Sequence, residues 1–149
     1  MAELKIILGV DFGDARTGLA VSDAFGKMAF GAGVLRVQGV KKTAQAVAEE
    51  ARKRGSSLIV VGNPINMNGS EGPRSEKCRV FCEFVREYSG LPTELYDERL
   101  TTVSAHRLLS ESGVFGQKRK NAVDELSAQL ILQDYLDRKN RDAEETPED

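Results

Sequence analysis

The chain has few of the residues that sulfur and imidazole chemistry requires: two cysteines and one histidine among 149 residues. Cys78 and Cys82 stand four apart in EKCRVFCEFV, on an apolar stripe completed by Phe81 and Val85. At that helical spacing the side chains run parallel, so the pair reads as reduced core thiols, and the segment offers too few ligands for a Cys/His metal site. His106 is the single candidate for any mechanism needing an imidazole base. It falls off the Ala105, Leu108 and Leu109 face of its helix and reads as an ordinary exposed residue.

Long hydrophobic runs are absent as well. No segment approaches the length of a membrane span, and MAELKIILGV is interrupted too soon by Gly9 and Asp11 to be a signal peptide. A cytoplasmic location without a membrane partner is the expectation. The chain also lacks an excess of positive charge. Its 21 Lys and Arg against 23 Asp and Glu leave a net charge of −2, which excludes a whole-surface attraction to nucleic acid. The terminal NRDAEETPED holds most of the excess acid and has the composition of a disordered tail, so one domain is expected over residues 1–139 and a tail over 140–149. There is no internal repeat.

What is present is a regular alternation of elements. LKIILGVD, TGLAVSD and FGAGVLRVQ read as three strands with short connections, hence an antiparallel meander. Val40, Ala44, Val47, Ala48 and Ala51 follow helical spacing up to Gly55, and SLIVVGN then reads as a strand covered on both faces. The loop PINMNGSEGPR, the cysteine-bearing helix and the strand TELYDE come next. Two helices close the chain. The first is capped by Thr101 or Thr102 and ended by Gly113; the second runs from about Asn121 to Lys139 with Ala128, Ile131, Leu132, Tyr135 and Leu136 on one arc. This order implies an α/β fold: one mixed five-stranded sheet, its first three strands antiparallel and the later ones added in parallel by right-handed crossovers, with helices on both faces.

Three carboxylates end elements of that core. Asp11 follows an apolar strand, Glu98 ends TELYDE, and Asp124 shares a helix face with Ala128, Ile131 and Tyr135. Each has an ordinary reading taken singly. Asp11 can cap the turn DFGDAR, Glu98 can pair with Arg99 or Arg107, and Asp124 can favour the positive end of its helix. One account covers all three: brought to one point they repel unless a divalent cation is present, and an all-oxygen ligand set suits Mg²⁺ or Mn²⁺. One or two such ions would activate water and steady a leaving oxygen in phosphodiester hydrolysis.

The segments GVDFGDARTGLAVSD, VVGNPINMNGSEGPRS, YDERLTTVSAHRLL and KRKNAVDELSAQLILQDYLD, in that order, resemble the YqgF/RuvX family of RNase H-like proteins over Leu4 to about Asp137. The resemblance implies a three-layer RNase H-like fold. It further implies a metal-dependent endonuclease acting in maturation of pre-16S ribosomal RNA or, as in Holliday junction resolvases, on branched DNA. The family's three catalytic acids fall on Asp11, Glu98 and Asp124, and its glycines on Gly9, Gly13 and Gly18, with Arg16 and Thr17 in the turn between strands. Glycines there are expected to leave room for a phosphate. The chain departs from the family at Asn63, where leucine is usual, and at Ser127, where the family often has alanine.

Around these acids several residues are candidates for gripping a nucleic-acid backbone: Gly13, Arg16 and Thr17 in the first turn, Arg74 after the glycine-rich loop, and Arg99, Thr101 and Thr102 after Glu98. Arg99 serves equally as a salt bridge positioning Glu98 or Asp97, and the threonines are helix caps first. Lys118, Arg119 and Lys120 read as a basic loop leading into the Asp124 helix. Such a modest patch implies salt-sensitive binding that a partner such as the ribosome would assist, by a monomer or, on branched DNA, a homodimer. A rival resemblance is of DFGDARTG to the phosphate loop of actin-like ATPases and sugar kinases, but those proteins close two such domains around a nucleotide, and 149 residues supply one.

Overall fold

The computed structural model describes residues 5–64, 68–98 and 117–145. Along them lie β1 (Ile6–Asp11), β2 (Thr17–Ser22), β3 (Ala29–Leu35), α1 (Val40–Lys53), β4 (Ser56–Asn63), α2 (Pro73–Ser89), β5 (Thr93–Asp97) and α3 (Gln117–Glu145). The helix expected from Thr101 or Thr102 to Gly113, with His106 on it, falls outside the described residues.

The strands form one sheet in the order β3-β2-β1-β4-β5. The first three pair antiparallel, and β4 and β5 add in parallel on the other side of β1. This is the expected meander followed by crossovers, and α1 and α2 make those crossovers. Strand β1 is therefore central, and its Ile7, Leu8 and Val10 are buried.

Side-chain alternation along the strands sorts the core into two layers. Leu8, Val10, Leu19, Ile59 and Val61 face α1 and α2, meeting Ala44, Val47, Ala51, Phe81 and Val85. Ile7, Ala20, Ala29 and Val60 face α3, meeting Ala128, Ile131, Leu132 and Leu136. The same parity puts Asp11, two residues beyond Gly9 and four beyond Ile7, on the α3 side. Phe12, the next residue, turns to the opposite face and stacks on Phe81 with ring centroids 4.2 Å apart. A stacked pair of this kind contributes about 1 kcal/mol beyond its burial and holds the end of β1 in that orientation.

Helix α3 is longer than the spacing of its apolar residues suggests. It begins at Gln117 and ends at Glu145, where the expected bounds were Asn121 and Lys139. Residues 117–120 are Gln, Lys, Arg and Lys, all strong helix formers with no glycine or proline among them, so Lys118, Arg119 and Lys120 lie in the first turn of α3 instead of a loop. At the other end the helix takes in residues 140–145, part of the stretch expected as a tail. Asn140 anchors it there by donating its side-chain amide to the Gly26 carbonyl at 3.2 Å.

Helix α3 sits on sheet backbone where three strands carry glycine. A Cβ on Gly18 would lie 1.9 Å from the Asp124 carbonyl oxygen, and one on Gly9 would lie 2.8 Å from Leu132 Cβ. A Cβ on Gly62 would lie 2.6 Å from both Ile131 Cδ1 and Glu98 Oε1. Gly9 and Gly18, with Gly13, were expected to make room for phosphate. Gly9 and Gly18 make room for the helix, because the obstructing atoms belong to α3.

Two expectations follow. Gly18→Ala forces the backbone of α3 off β2 and should cost about 1–3 kcal/mol, seen as a fall in melting temperature of roughly 2–4 °C per kcal/mol by circular dichroism. An unchanged melt would mean that α3 is not seated on that strand. Cys78 and Cys82 are buried free thiols whose pKa values burial pushes up to about 12. At pH 8 their thiolate fraction is roughly 10⁻⁴, so a thiol-reactive disulfide reagent should leave the native protein untouched and modify both cysteines in denaturant.

Candidate active site

The three acids come from three different elements and meet at one end of the sheet. Asp11 closes β1, Glu98 follows β5 directly, and Asp124 lies in the second turn of α3. Asp11 pairs in register with Gly18 of β2, and Gly18 is the point where the Asp124 backbone rests on the sheet. Glu98 reaches in from the other side across Gly62 of β4. A missing side chain on each flanking strand thus lets the outer two acids close on the central one.

All three line a cleft of about 430 Å³, together with the 12–15 turn, Arg16 and Arg74. The Asp11 carboxyl is held well above the usual carboxylate range, first by burial, then by the negative charges of Glu98 and Asp124. Arg74 pulls weakly the other way. In its protonated form Asp11 donates a hydrogen bond to Glu98. Asp124 is held differently: Arg16 Nε donates to its Oδ2 at 2.7 Å, and the two side chains are 32% and 17% exposed.

Among the described residues no three His, Cys, Asp or Glu side chains are grouped closely enough to hold a metal ion. The chemistry of the set nonetheless fits a hard divalent cation. It offers carboxylate oxygens and no sulfur or imidazole, and the neighbouring carboxylates raise the pKa of the central one, a repulsion that a cation would relieve.

The other candidate residues fall into distinct positions. Gly13, Arg16 and Arg74 line the cleft. Gly13 has a conformational reason to be glycine, since a Cβ there would meet the Arg16 carbonyl oxygen at 2.1 Å in the tight turn. Thr17 does not face the cleft. It is fully buried, and its hydroxyl accepts a hydrogen bond from the Gly13 N–H at 3.4 Å, so it braces the turn from beneath. Helix α3 carries Lys118, Arg119 and Lys120 within two turns of Asp124. Arg99, Thr101 and Thr102 fall outside the described residues.

Asn63 is buried on the face opposite the acids, where its Oδ1 accepts a hydrogen bond from Ser75 Oγ at 2.7 Å. It therefore ties the end of β4 to the start of α2 and fixes the base of the intervening loop, instead of altering the cleft.

One participant escaped sequence reasoning. Asp14 bridges Arg74 Nη1 at 3.4 Å and Lys77 Nζ at 2.5 Å, and Arg74 Nη2 also donates to the Phe12 carbonyl at 2.9 Å. These contacts pin the first turn to α2 and lower the Asp14 pKa, chiefly through Lys77. The signal was visible in DFGDAR, where a second acid follows the first by three residues, but its basic partners lie about 60 residues away.

Comparison with known proteins bears on the family and the fold. A family model described as RuvX, Holliday junction resolvase, matches residues 5–138. A protein of Ruminiclostridium cellulolyticum named "Putative pre-16S rRNA nuclease" is 44% identical over 133 residues, covering 89% of this chain and 94% of its own length. A protein of the same name from Clostridioides difficile is 44% identical over 131 residues, covering 88% and 93%. Among solved structures, RuvC of T. thermophilus in complex with a Holliday junction substrate superposes with a TM-score of 0.56 at 16% identity, covering 91% of this chain and 96% of that one. The fowlpox virus Holliday junction resolvase gives 0.53 at 11% identity, covering 89% and 99%. At those identities the structures speak for the fold, which is RNase H-like. Matched almost end to end by the family model and by relatives of 44% identity, the chain belongs to the RuvX family.

Proposed function

We propose that the protein is a metal-dependent endonuclease that hydrolyses phosphodiester bonds in the 5′-end maturation of pre-16S ribosomal RNA. The observation that carries this reading is the convergence of Asp11, Glu98 and Asp124, from three elements, on one open cleft that also holds Arg16 and Arg74. Asp11, Glu98 and Asp124 would hold Mg²⁺ or Mn²⁺. When bound, such an ion supplies a Lewis acid that activates water and offsets charge developing on the phosphoryl group.

The chain's own residues have separate tasks. Asp11, central and most buried in carboxylate surroundings, gives up its proton when positive charge enters the site. Arg74, fixed against the Phe12 carbonyl, orients a backbone phosphate at the cleft wall. The basic first turn of α3 leads the adjoining backbone toward Asp124. With a net charge of −2 the grip is local and salt-sensitive, which makes presentation by the ribosome a natural partner role in the cytoplasm.

Branched DNA is the second reading, favoured by the family model's description as a Holliday junction resolvase. It calls for a symmetric dimer, since a junction needs two coordinated cuts. The names of the 44%-identical relatives favour the RNA.

The test is cleavage of a precursor 16S RNA and, in parallel, of a four-way DNA junction, by the purified protein in Mg²⁺ or Mn²⁺ and in EDTA. Asp11→Asn and Asp124→Asn should each lower the rate by at least about a hundredfold, or roughly 3 kcal/mol of barrier. Equal rates in the variants would remove the acids from catalysis, and faster cutting of the junction would move the substrate to DNA. The Asp11→Asn variant carries a second expectation. The folded protein keeps the Asp11 proton above the ordinary pKa of 3.8, where the unfolded chain has lost it, so metal-free stability falls as pH rises through that window. In EDTA the variant should melt above the wild type at pH 8, with the difference closing toward pH 4.

A further inference from the structure

Arg16 occupies a place that the proposed function does not explain. Its Nε lies 2.7 Å from Asp124 Oδ2, a contact between residues 108 apart in sequence and partly shielded from solvent. The partner is one of the three acids that the metal reading needs. The other two, Asp11 and Glu98, line the same cleft.

We propose that Arg16 competes with the divalent ion for Asp124, and that arrival of the ion hands the guanidinium to a phosphate of the nucleic-acid backbone. The inference rests on the metal-nuclease reading and deepens it. Its basis is that one cleft wall holds both the guanidinium and the carboxylate it would surrender.

Electrostatics favours exchange over sharing. A guanidinium on one oxygen of Asp124 and a dication on the other would stand a few ångströms apart, and their repulsion there is several-fold larger than in bulk water. The turn makes the exchange mechanically simple. Its backbone is locked, with the Arg16 carbonyl packed over Gly13 and Thr17 buried beneath it, so only the arginine side chain has to move. Once released, the planar fork stays in the cleft and matches two phosphate oxygens. Ion and nucleic acid would then bind with positive coupling through this one side chain, each raising the affinity of the other by the same factor.

The opposite role is physically distinct. If Arg16 instead oriented Asp124 for the ion, its removal would weaken ion binding. Mn²⁺ titration of the full chain without nucleic acid, read by the electron paramagnetic resonance signal of free Mn²⁺, separates the two for wild type, Arg16→Gln, Arg16→Lys and Asp11→Asn. Competition predicts that Arg16→Gln binds Mn²⁺ about fivefold tighter or more, with Arg16→Lys nearer the wild type. It also predicts a larger rise in melting temperature on adding Mn²⁺ to Arg16→Gln, whereas a purely structural arginine would lower the melt equally with and without the ion. The gain in affinity for a labelled short RNA on replacing EDTA by Mn²⁺, measured by fluorescence anisotropy with intact RNA verified on a gel, should shrink in Arg16→Gln.

Unchanged or weaker Mn²⁺ binding by Arg16→Gln, with Asp11→Asn losing the ion, would overturn the inference and leave the metal site standing. Tighter Mn²⁺ binding with an undiminished RNA gain would overturn the transfer to phosphate. Asp11→Asn titrating like the wild type would overturn the metal reading itself, and this inference with it.

Discussion

The contact on which the candidate site depends is backbone on backbone: the Asp124 carbonyl resting over Gly18, where a single methyl group would stand 1.9 Å from the oxygen. A helix normally lies about 10 Å from a sheet because side chains fill the gap. Here glycines at Gly9, Gly18 and Gly62 thin that layer near the ends of three adjacent strands, while Ile7, Val60, Ile131, Leu132 and Leu136 keep it filled farther down. The helix is thus brought close at one end and packed at the other. Proximity of Asp124 to Asp11 follows from that, and so does the opening through which Glu98 reaches the same point.

Closeness has an electrostatic cost: burial and the charges of Glu98 and Asp124 push the Asp11 carboxyl upward, while Asp124 is paired with Arg16. The α1 and α2 face of the sheet does the opposite work. Leu8, Val10, Phe81, Val85 and the two unreactive cysteines form a dry layer, and Asn63 and Ser75, the polar pair at its edge, satisfy each other.

What could be read from residue order follows from periodicity. The four-three-four spacing of Asp124, Ala128, Ile131 and Tyr135 turns the acid toward the sheet, a local rule with one geometric answer. The apolar run before Asp11 marks the end of a buried strand but does not choose the face on which the acid lies. The glycines were legible as unusual but not for what they do, because the atom each one accommodates lies on another element. Gly18 reads as room for a ligand until α3 is seen lying on it. The Arg16 to Asp124 and Asp14 to Lys77 contacts span 108 and 63 residues, and a long flexible cation has too many acids within reach for spacing to choose among them. The start of α3 departs from expectation for a plainer reason: a basic run suggests a loop by its charge, but Gln, Lys and Arg are strong helix formers.

The cations at the cleft also bear on how so acidic a chain can engage a polyanion. Arg16 is paired with Asp124, while Arg74 and Lys77 are paired with Asp14. Each of these cations thus already has an acid partner, Arg74 and Lys77 sharing one. On the proposed reading, attraction for a phosphate backbone depends on exchange of partners, with the acids taking up metal and the bases taking up phosphate. The exposed Asp14 pair is cheap to break, because water screens it, whereas the half-buried Arg16 pair yields only to a stronger competitor. A site arranged in this way remains nearly neutral toward nucleic acid at large. It becomes attractive where ion and phosphate arrive together, which places the selection of substrate in the geometry of the cleft and not in the charge of the surface.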